Sequence, residues 1–403
     1  MAEVEVEDLE PGRLVEPAPA SPGGPGRNPL RIIGVLIVVL GLLFGVPWWT
    51  LVFAPSWPGP VFALGTVVVV AALIALPVGM FGGHRAGGSD RLAVLGDTLI
   101  GVAWVTFTWS VLGNVLRLGL LAFGVDDPAR SRIVAVSALV VTAVLLVWGH
   151  YEAMRTSRVR NVDVVLPRLG AGLDGTRVVL LADTHYGPID RARWSENVAA
   201  LVNTLDADLV VHAGDIADGS PEERRPQASP LAAIEAPLGR VYVTGNHEYY
   251  SGAQPWIERM TELGWDWLHN RHVVIERGAD KLILAGVDDL TAAGSGLPGH
   301  HADLGTALAG ADPELPVLLV AHQPKFVAKA ADAGVDLQVS GHTHGGQIWP
   351  FNLLVRLEQP AVAGLSRHGE RTQLYTSRGT GFWGPPFRVF SPSEITVLTL
   401  RSA

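Results

Sequence analysis

Cysteine is absent from the 403-residue chain, which excludes a disulfide framework, a thiolate metal site and a thiol nucleophile. Any bound metal must be held by nitrogen and oxygen donors, and the redox state of the compartment leaves no mark on the sequence. Basic residues are also in the minority: 30 Lys and Arg face 39 Asp and Glu, a formal net charge of -9. That balance argues against a nucleic-acid-binding face, which needs positive charge to neutralise phosphates. A small anionic substrate stays open, because a bound cation would dominate the local field. Residues 1–28 hold few large apolar side chains and much Pro, Gly, Ala and Glu, so they read as a disordered tail. They do not read as a signal peptide, since the first apolar run starts only at Ile32, after acidic residues and without a small-residue cleavage site.

What the chain has in abundance is apolar sequence in its first third. Four runs, Ile32 to Phe53, Val61 to Phe81, Leu95 to Phe123 and Ile133 to Trp148, approach or exceed the roughly 20 residues that cross a bilayer. A buried bundle in water would show polar faces, and these runs are apolar all round over most of their length. Residues 29–150 are therefore expected to form an all-α transmembrane region of four helices, with Trp48, Trp49, Trp57 and Trp148 near the interfaces. Asn114 and Arg117 interrupt the third run and are expected to snorkel from a helix end, the alternative being to face the bundle interior. Arg27, Arg31, Arg85, Arg91, Arg155, Arg158 and Arg160 would share one side, against Arg130 and Arg132 on the other. With four spans, the positive-inside rule leads to the expectation of an integral membrane protein with both termini, and the C-terminal domain, on the cytoplasmic face.

From about residue 151 to 403 the pattern changes to short apolar runs alternating with amphipathic stretches, the mark of an α/β domain. Val178 to Leu181, Leu209 to Val211, Val241 to Val243, Leu318 to Val320 and Leu337 to Val339 read as central strands. Helices are expected around Trp194 to Leu205, Pro255 to Leu263 and Lys325 to Ala331, with closing strands at Thr372 to Tyr375 and Ile395 to Leu400.

Each central strand is followed almost at once by metal-type donors: Asp183-Thr184-His185, Gly214-Asp215, Gly245-Asn246-His247-Glu248, His322, and Gly341-His342-Thr343-His344-Gly345-Gly346-Gln347. Taken singly, each has a simpler reading, with Asp183 or Asp215 as a helix cap, Asn246 as a turn residue and His322 as a core histidine. Loops at the carboxyl ends of strands in an α/β sheet form its binding crevice, so five such clusters in five such loops converge. Carboxylate, amide and imidazole donors suit Mn, Fe or Zn.

These blocks, D-x-H, GD, GNH[DE], H and GHxH in that order, resemble the calcineurin-like metallophosphoesterase superfamily from about Arg158 to Leu400. The Gly-His-Thr-His-Gly-Gly-Gln loop and Gly286-Val287-Asp288-Asp289 look most like its YkuE/YaeI-type bacterial branch. The resemblance implies a four-layer αββα sandwich. It implies two divalent metal ions, Asp183, His185, Asp215 and His344 binding one, and Asp215, Asn246, His322 and His342 the other. Two such ions about 3.5–4 Å apart can share a hydroxide and clamp a phosphoryl group during in-line displacement. His247 matches the family histidine that faces the substrate and protonates the leaving oxygen. Asp218 matches the carboxylate that orients that histidine, although capping the helix near Pro221 is an equal alternative.

Other residues are less constrained. Glu248 and Asp288 are either supports behind the ligands or surface carboxylates, and His212 is left unassigned. His300 and His301 are expected in a solvated loop, and Gln347 is placed either at the pocket edge or outside it. The aromatic segments Trp349-Pro350-Phe351 and Phe382-Trp383-Gly384-Pro385-Pro386-Phe387 are expected to cover the domain's own sheet, the alternative being an apolar lip for a lipid-linked phosphate. Arg388 would pair with a phosphate or a surface acid. The expected activity is a membrane-anchored phosphoesterase acting on a phosphoester or pyrophosphate, with a lipid-linked substrate preferred and no nucleic acid as partner. A soluble-nucleotide phosphodiesterase and a non-catalytic ligand-sensing membrane protein are the alternatives. A transporter would show paired ionisable residues within its spans, and only Arg117 is a candidate.

Overall fold

The computed structural model describes residues 29–85 and 87–403, so the tail expected at 1–28 lies outside the described residues. Four helices come first: α1 (Pro29–Trp48), extended by a π-turn at Trp49–Phe53, α2 (Gly59–Gly83), α3 (Asp90–Ala122) and α4 (Ala129–Met154). All four are long and apolar enough to cross a membrane. Their outward faces carry large apolar side chains such as Leu64, Val67, Ile74 and Val147, while Thr50, Asp97, Ser110, Ser131 and Thr142 are turned inward. Helices α2 and α3 meet through glycine, since a Cβ on Gly79 would sit 2.6 Å from the backbone nitrogen of Gly96. Small residues at such a crossing let backbones approach where lipid supplies no hydrophobic drive.

Arg117 behaves as expected near the C-terminal end of α3, lying over the Trp49 ring at 4.6 Å and pairing with Asp127 at 3.3 Å. Asn114 does not snorkel. Its amide donates to Thr50 Oγ1 at 2.7 Å and to the Ser110 carbonyl at 2.8 Å, because an unpaired amide in an apolar medium costs more than a bond across the bundle.

The C-terminal domain holds twelve strands: β1 (Arg158–Val165), β2 (Arg177–Leu181), β3 (Leu209–His212), β4 (Arg240–Tyr242), β5 (Asp266–Trp267), β6 (Arg271–Arg277), β7 (Asp280–Gly286), β8 (Val317–Val320), β9 (Leu337–Ser340), β10 (Gly364–His368), β11 (Thr372–Thr376) and β12 (Glu394–Arg401). They form two six-stranded sheets, ordered β1-β12-β2-β3-β4-β5 and β10-β11-β9-β8-β7-β6. Strands β2 to β5 are parallel neighbours, as are β7, β8, β9 and β11. The period of two divides each strand between two cores. Leu180, Val211, Val241, Leu284, Leu318 and Val339 meet between the sheets. Val179, Leu181, Val210 and Tyr242 face outward onto Trp194 and Val198 of α5 (Ala192–Val202) and Trp256, Ile257 and Met260 of the later helix at Ala253–Glu262. On the other sheet Ile283, Ala285 and Leu319 take Phe326 and Ala330. Helix, sheet, sheet and helix make the expected four layers.

The five central strands form at the expected places, within a residue or two. Strands β1, β5, β6, β7 and β10 have no counterpart in the sequence reading. Strand β1 is mostly exposed along its length, and an edge strand of mixed polarity gives little periodic signal.

The aromatic segments depart from expectation. Instead of covering the domain's own sheet, Trp349, Phe351 and Phe387 pack on the N-terminal helices, while Phe382 lies on Arg191 and Trp383 beside His247. Trp104 Nε1 of α3 donates to the Ile348 carbonyl at 3.2 Å, and its ring meets Phe351 edge-on at 5.9 Å. Phe387 lies against Gly101, where a Cβ would stand 2.6 Å from the ring. The Arg388 amide donates to the Gly149 carbonyl of α4 at 2.8 Å. Asp90, at the start of α3, pairs with Arg224 at 2.7 Å, so α3 runs along the C-terminal domain for much of its 33 residues.

Candidate metal centre

All seven donors singled out in the sequence meet at the C-terminal ends of β2, β3, β4, β8 and β9. Asp183, His185 and His344 converge within metal-binding reach, and so do Asp215, His322 and His342. Asn246 joins the second group, its Oδ1 standing 3.1 Å from His322 Nε2 and 2.9 Å from His342 Nδ1. Asp215 Oδ2 lies between the groups, 3.1 Å from His322 Nε2 and 3.5 Å from His185 Nε2.

The backbone is bent to present these side chains. Asp183, His185, Asp215, His342 and His344 all have positive φ, between 43° and 71°, a region that non-glycine residues occupy at a cost. Glycines hold the loops close: a Cβ on Gly341 would stand 2.4 Å from Asp183 Oδ2, and one on Gly245 2.1 Å from Asp215 Oδ1. Helix α6 (Pro221–Ala228) is capped by Ser220, which accepts from the Glu223 amide. Asp218 is thereby free for the site. The third donor cluster forms the first turn of α7 (Asn246–Ser251), and α8 (Ala253–Glu262) follows.

The hydrogen bonds around the donors leave lone pairs facing one another. His322 Nδ1 donates to the Ala213 carbonyl at 2.8 Å, which turns Nε2 toward the oxygens of Asp215 and Asn246. His185 Nδ1 donates to Asp218 Oδ2 at 3.2 Å, which turns its Nε2 toward His344 Nε2 at 3.1 Å. Asp183 Oδ2 is buried with no hydrogen-bond partner. A buried carboxylate oxygen left alone is costly, and a ring nitrogen fixed by its second nitrogen is the usual arrangement of a metal-binding histidine. The residues fit divalent cations.

Electrostatics divide the same groups. Burial pushes Asp183 up to about 6, with Asp215 adding to the effect. Burial acts on Asp215 too, but His322, His247 and His185 pull it well below the usual carboxylate range. Burial outweighs all else at His344, where His185 and Arg388 push the pKa further down, and at His342, lowered to about 4. At His322 and His247 burial is overcome, by Asp215 for the first, and by Asp215 and Asp218 for the second, which is raised to about 9.

Asp218 serves two histidines. Oδ1 accepts from His247 Nδ1 at 2.5 Å while Oδ2 accepts from His185 Nδ1. Glu248 is fully buried and accepts from the amides of Asp215 at 3.0 Å, Ile216 at 2.6 Å and Gly245 at 2.6 Å, tying two donor loops together. His212 is buried beside Thr184, and burial with nearby His322 pushes it down to about 3. Gln347 bridges to Trp383 and Pro385.

Arg388 meets neither expected partner. It is fully buried, donates to the carbonyls of His344, Ser391 and Arg378, and places Nη2 3.2 Å from His344 Nδ1. His300 is not solvated but 9% exposed, beside Tyr249 and Asp288, whereas the His301 side chain is 56% exposed as expected. Nothing in the sequence marks Arg191. Buried between the rings of Trp194 and Phe382, it donates to the carbonyls of Thr184 and His185, and a lone arginine before a helix carries no signal of that role.

A calcineurin-like phosphoesterase model matches residues 176–346. A transmembrane protein with metallophosphoesterase domain from Danio rerio is 39% identical over 328 residues, covering 77% of this chain and 74% of that protein. A metallophosphoesterase from Campylobacter jejuni is 35% identical, covering 74% and 78%, and YkuE of Bacillus subtilis is 32% identical, covering 57% and 81%. With the converging donors and the four apolar helices, these likenesses mean that the chain belongs to the calcineurin-like metallophosphoesterase family, as a membrane-associated, metal-dependent phosphoesterase.

Proposed function

We propose that this chain hydrolyses a phosphoester or pyrophosphate bond of a lipid-linked substrate at the cytoplasmic face of the membrane. The observation that carries the reading is the two-part donor cluster with its unpartnered Asp183 oxygen. Asp183, His185, Asp215 and His344 would hold one divalent ion and Asp215, Asn246, His322 and His342 a second, of Mn, Fe or Zn. Ions bound there supply an activated water and positive charge for the phosphoryl group.

The chain's own residues do the rest. His247 is held at Nδ1 by Asp218, so its Nε2 is left to hand a proton to the leaving oxygen. The same carboxylate fixes His185, so one side chain aligns the proton donor with the donor cluster. Glu248 holds the Asp215 loop and Arg388 the His344 loop in register.

The choice of a lipid-linked substrate rests on the lip. Trp383 and Tyr250, 50% and 69% exposed, place their rings 5.6 Å and 5.4 Å from the His247 ring. Further exposed apolar side chains, Phe390 and Leu353 and Leu354 of the short helix Phe351–Val355, stand on segments packed against the helices, Phe390 on Trp148 of α4 and Phe351 on Trp104 of α3. A polar phosphate at the metal centre and an apolar tail along these side chains describe an amphiphile drawn from the bilayer. The cytoplasmic placement rests on the arginines beside the spans.

The test uses the full chain in lipid nanodiscs, with a lipid pyrophosphate and a soluble chromogenic phosphodiester, before chelation, after it, and after adding back Mn, Zn or Fe. Turnover that needs metal, is lost in His247→Ala and is faster on the lipid substrate is the expected result. Equal or faster turnover of the soluble diester would leave a nucleotide-type phosphodiesterase instead. No turnover with metal bound would leave a ligand sensor.

A further inference from the structure

A second histidine–carboxylate cluster lies outside the paired centre. His269 follows β5, Asp288 follows β7 and His300 sits in the loop after it, and their donor atoms lie within metal-binding reach of one another. Asp288 is 1% exposed. Its Oδ1 accepts from His269 Nδ1 at 2.8 Å. Its Oδ2 is buried without a hydrogen-bond partner, and His300 Nδ1 is 3.9 Å away.

That unpartnered oxygen is informative because of its counterpart. Among the described residues, two buried carboxylate oxygens lack a hydrogen-bond partner, Asp183 Oδ2 and Asp288 Oδ2. The first belongs to the donor cluster whose chemistry already calls for a cation. The second stands in the same relation to two imidazoles.

The surroundings are built to hold the three side chains. Trp267 stacks on both rings, at 4.3 Å from His269 and 5.6 Å from His300. Asn270 accepts from the amides of Asp288 at 3.3 Å and Asp303 at 2.9 Å, and donates to the His301 carbonyl at 2.7 Å, clamping the His300 loop to the end of β7. The Tyr249 hydroxyl lies 3.1 Å from His300 Nδ1 and 3.2 Å from Thr244 Oγ1. Two imidazoles and one carboxylate are a donor set suited to zinc, with a position left for a water or the tyrosyl oxygen.

We propose that His269, Asp288 and His300 hold a third divalent cation, of the zinc class, distinct from the paired ions. Tyr249 stands in α7 with Asn246 and His247, so an ion there would fasten the end of β5, the end of β7 and the His300 loop to the helix that presents the proton donor. Its role is to position that helix, not to touch substrate.

The test is stoichiometry. Tag-free full-length protein is stripped of metal, titrated with Zn2+, freed of excess and assayed for zinc per chain by mass spectrometry. Wild type is expected to bind about three ions and the His269→Gln/His300→Gln variant about two. His342→Ala should lose an ion from the other set, and combining it with the double variant should lose a further one. An unchanged zinc content in the double variant overturns the proposal. If that variant fails to fold, His269→Gln alone is read the same way, since its ring is 31% exposed. The readout is independent of turnover, so failure here leaves the phosphoesterase reading standing. Conversely, an inactive protein that loses one ion in the variant sinks only that reading.

Discussion

The helical region and the catalytic domain solve the same problem in opposite solvents. In the helices Leu64 is 66% and Val147 74% exposed, while Thr50, Ser110 and Ser131 are turned inward. In the catalytic domain Leu180, Val211 and Leu318 are fully buried, and polar groups gather at strand ends. Water rewards the burial of apolar surface. Lipid does not, so helices cohere through small residues and bonds such as Asn114 to Thr50. Asn114 in the bundle therefore serves structure, and the metal-type donors of the catalytic domain are gathered at strand ends.

The largest expected effect is at the site. His247→Ala should lower kcat by roughly 10²–10⁴-fold with metal content unchanged, and a drop of less than tenfold would show that Nε2 is not the proton donor. Next come matched truncations. Leu180→Ala should cost about 2–5 kcal/mol in denaturant unfolding, whereas Leu64→Ala, facing lipid, should fall within about 0.5 kcal/mol. Similar losses at both positions would break the contrast.

Where the regions touch, a substitution should be felt in both. Gly101→Leu drives a side chain into Phe387, one residue from the arginine that braces His344. Metal affinity should fall by about 10–100-fold, measured by zinc titration of the full chain, and unchanged affinity would mean that the helices only anchor. The smallest effect belongs to Asn114→Ala, about 0.6 kcal/mol on helix association, read by unfolding in mixed detergent. A cost of several kcal/mol would assign Asn114 more than a bridging role.

Sequence reading reached the central strands and the donor loops because both are local. An apolar run ending in Gly-Asp or Gly-Asn-His declares strand and loop in a handful of residues. It fell short wherever two distant segments had to be placed together. His300 looked solvated because nothing near it in the chain announces Asp288 or Trp267. Arg388 looked like a phosphate or surface contact because a lone arginine carries no trace of the carbonyl cage that buries it. The aromatic segments at 349–351 and 382–387 looked like sheet cover because their partners, Trp104 and Gly101, lie more than two hundred residues earlier.

The sequence by itself determined the four apolar helices, the α/β character of the remainder, and the identity and order of the donors. Hydropathy, periodicity and loop chemistry are properties of neighbouring residues, and they survive in one dimension. Only the tertiary structure decided that Asp218 serves two histidines, that α3 lies along the catalytic domain, and that Asp288 keeps an oxygen unpaired between two imidazoles. Those outcomes depend on which surfaces pack together, and packing is set by the whole fold.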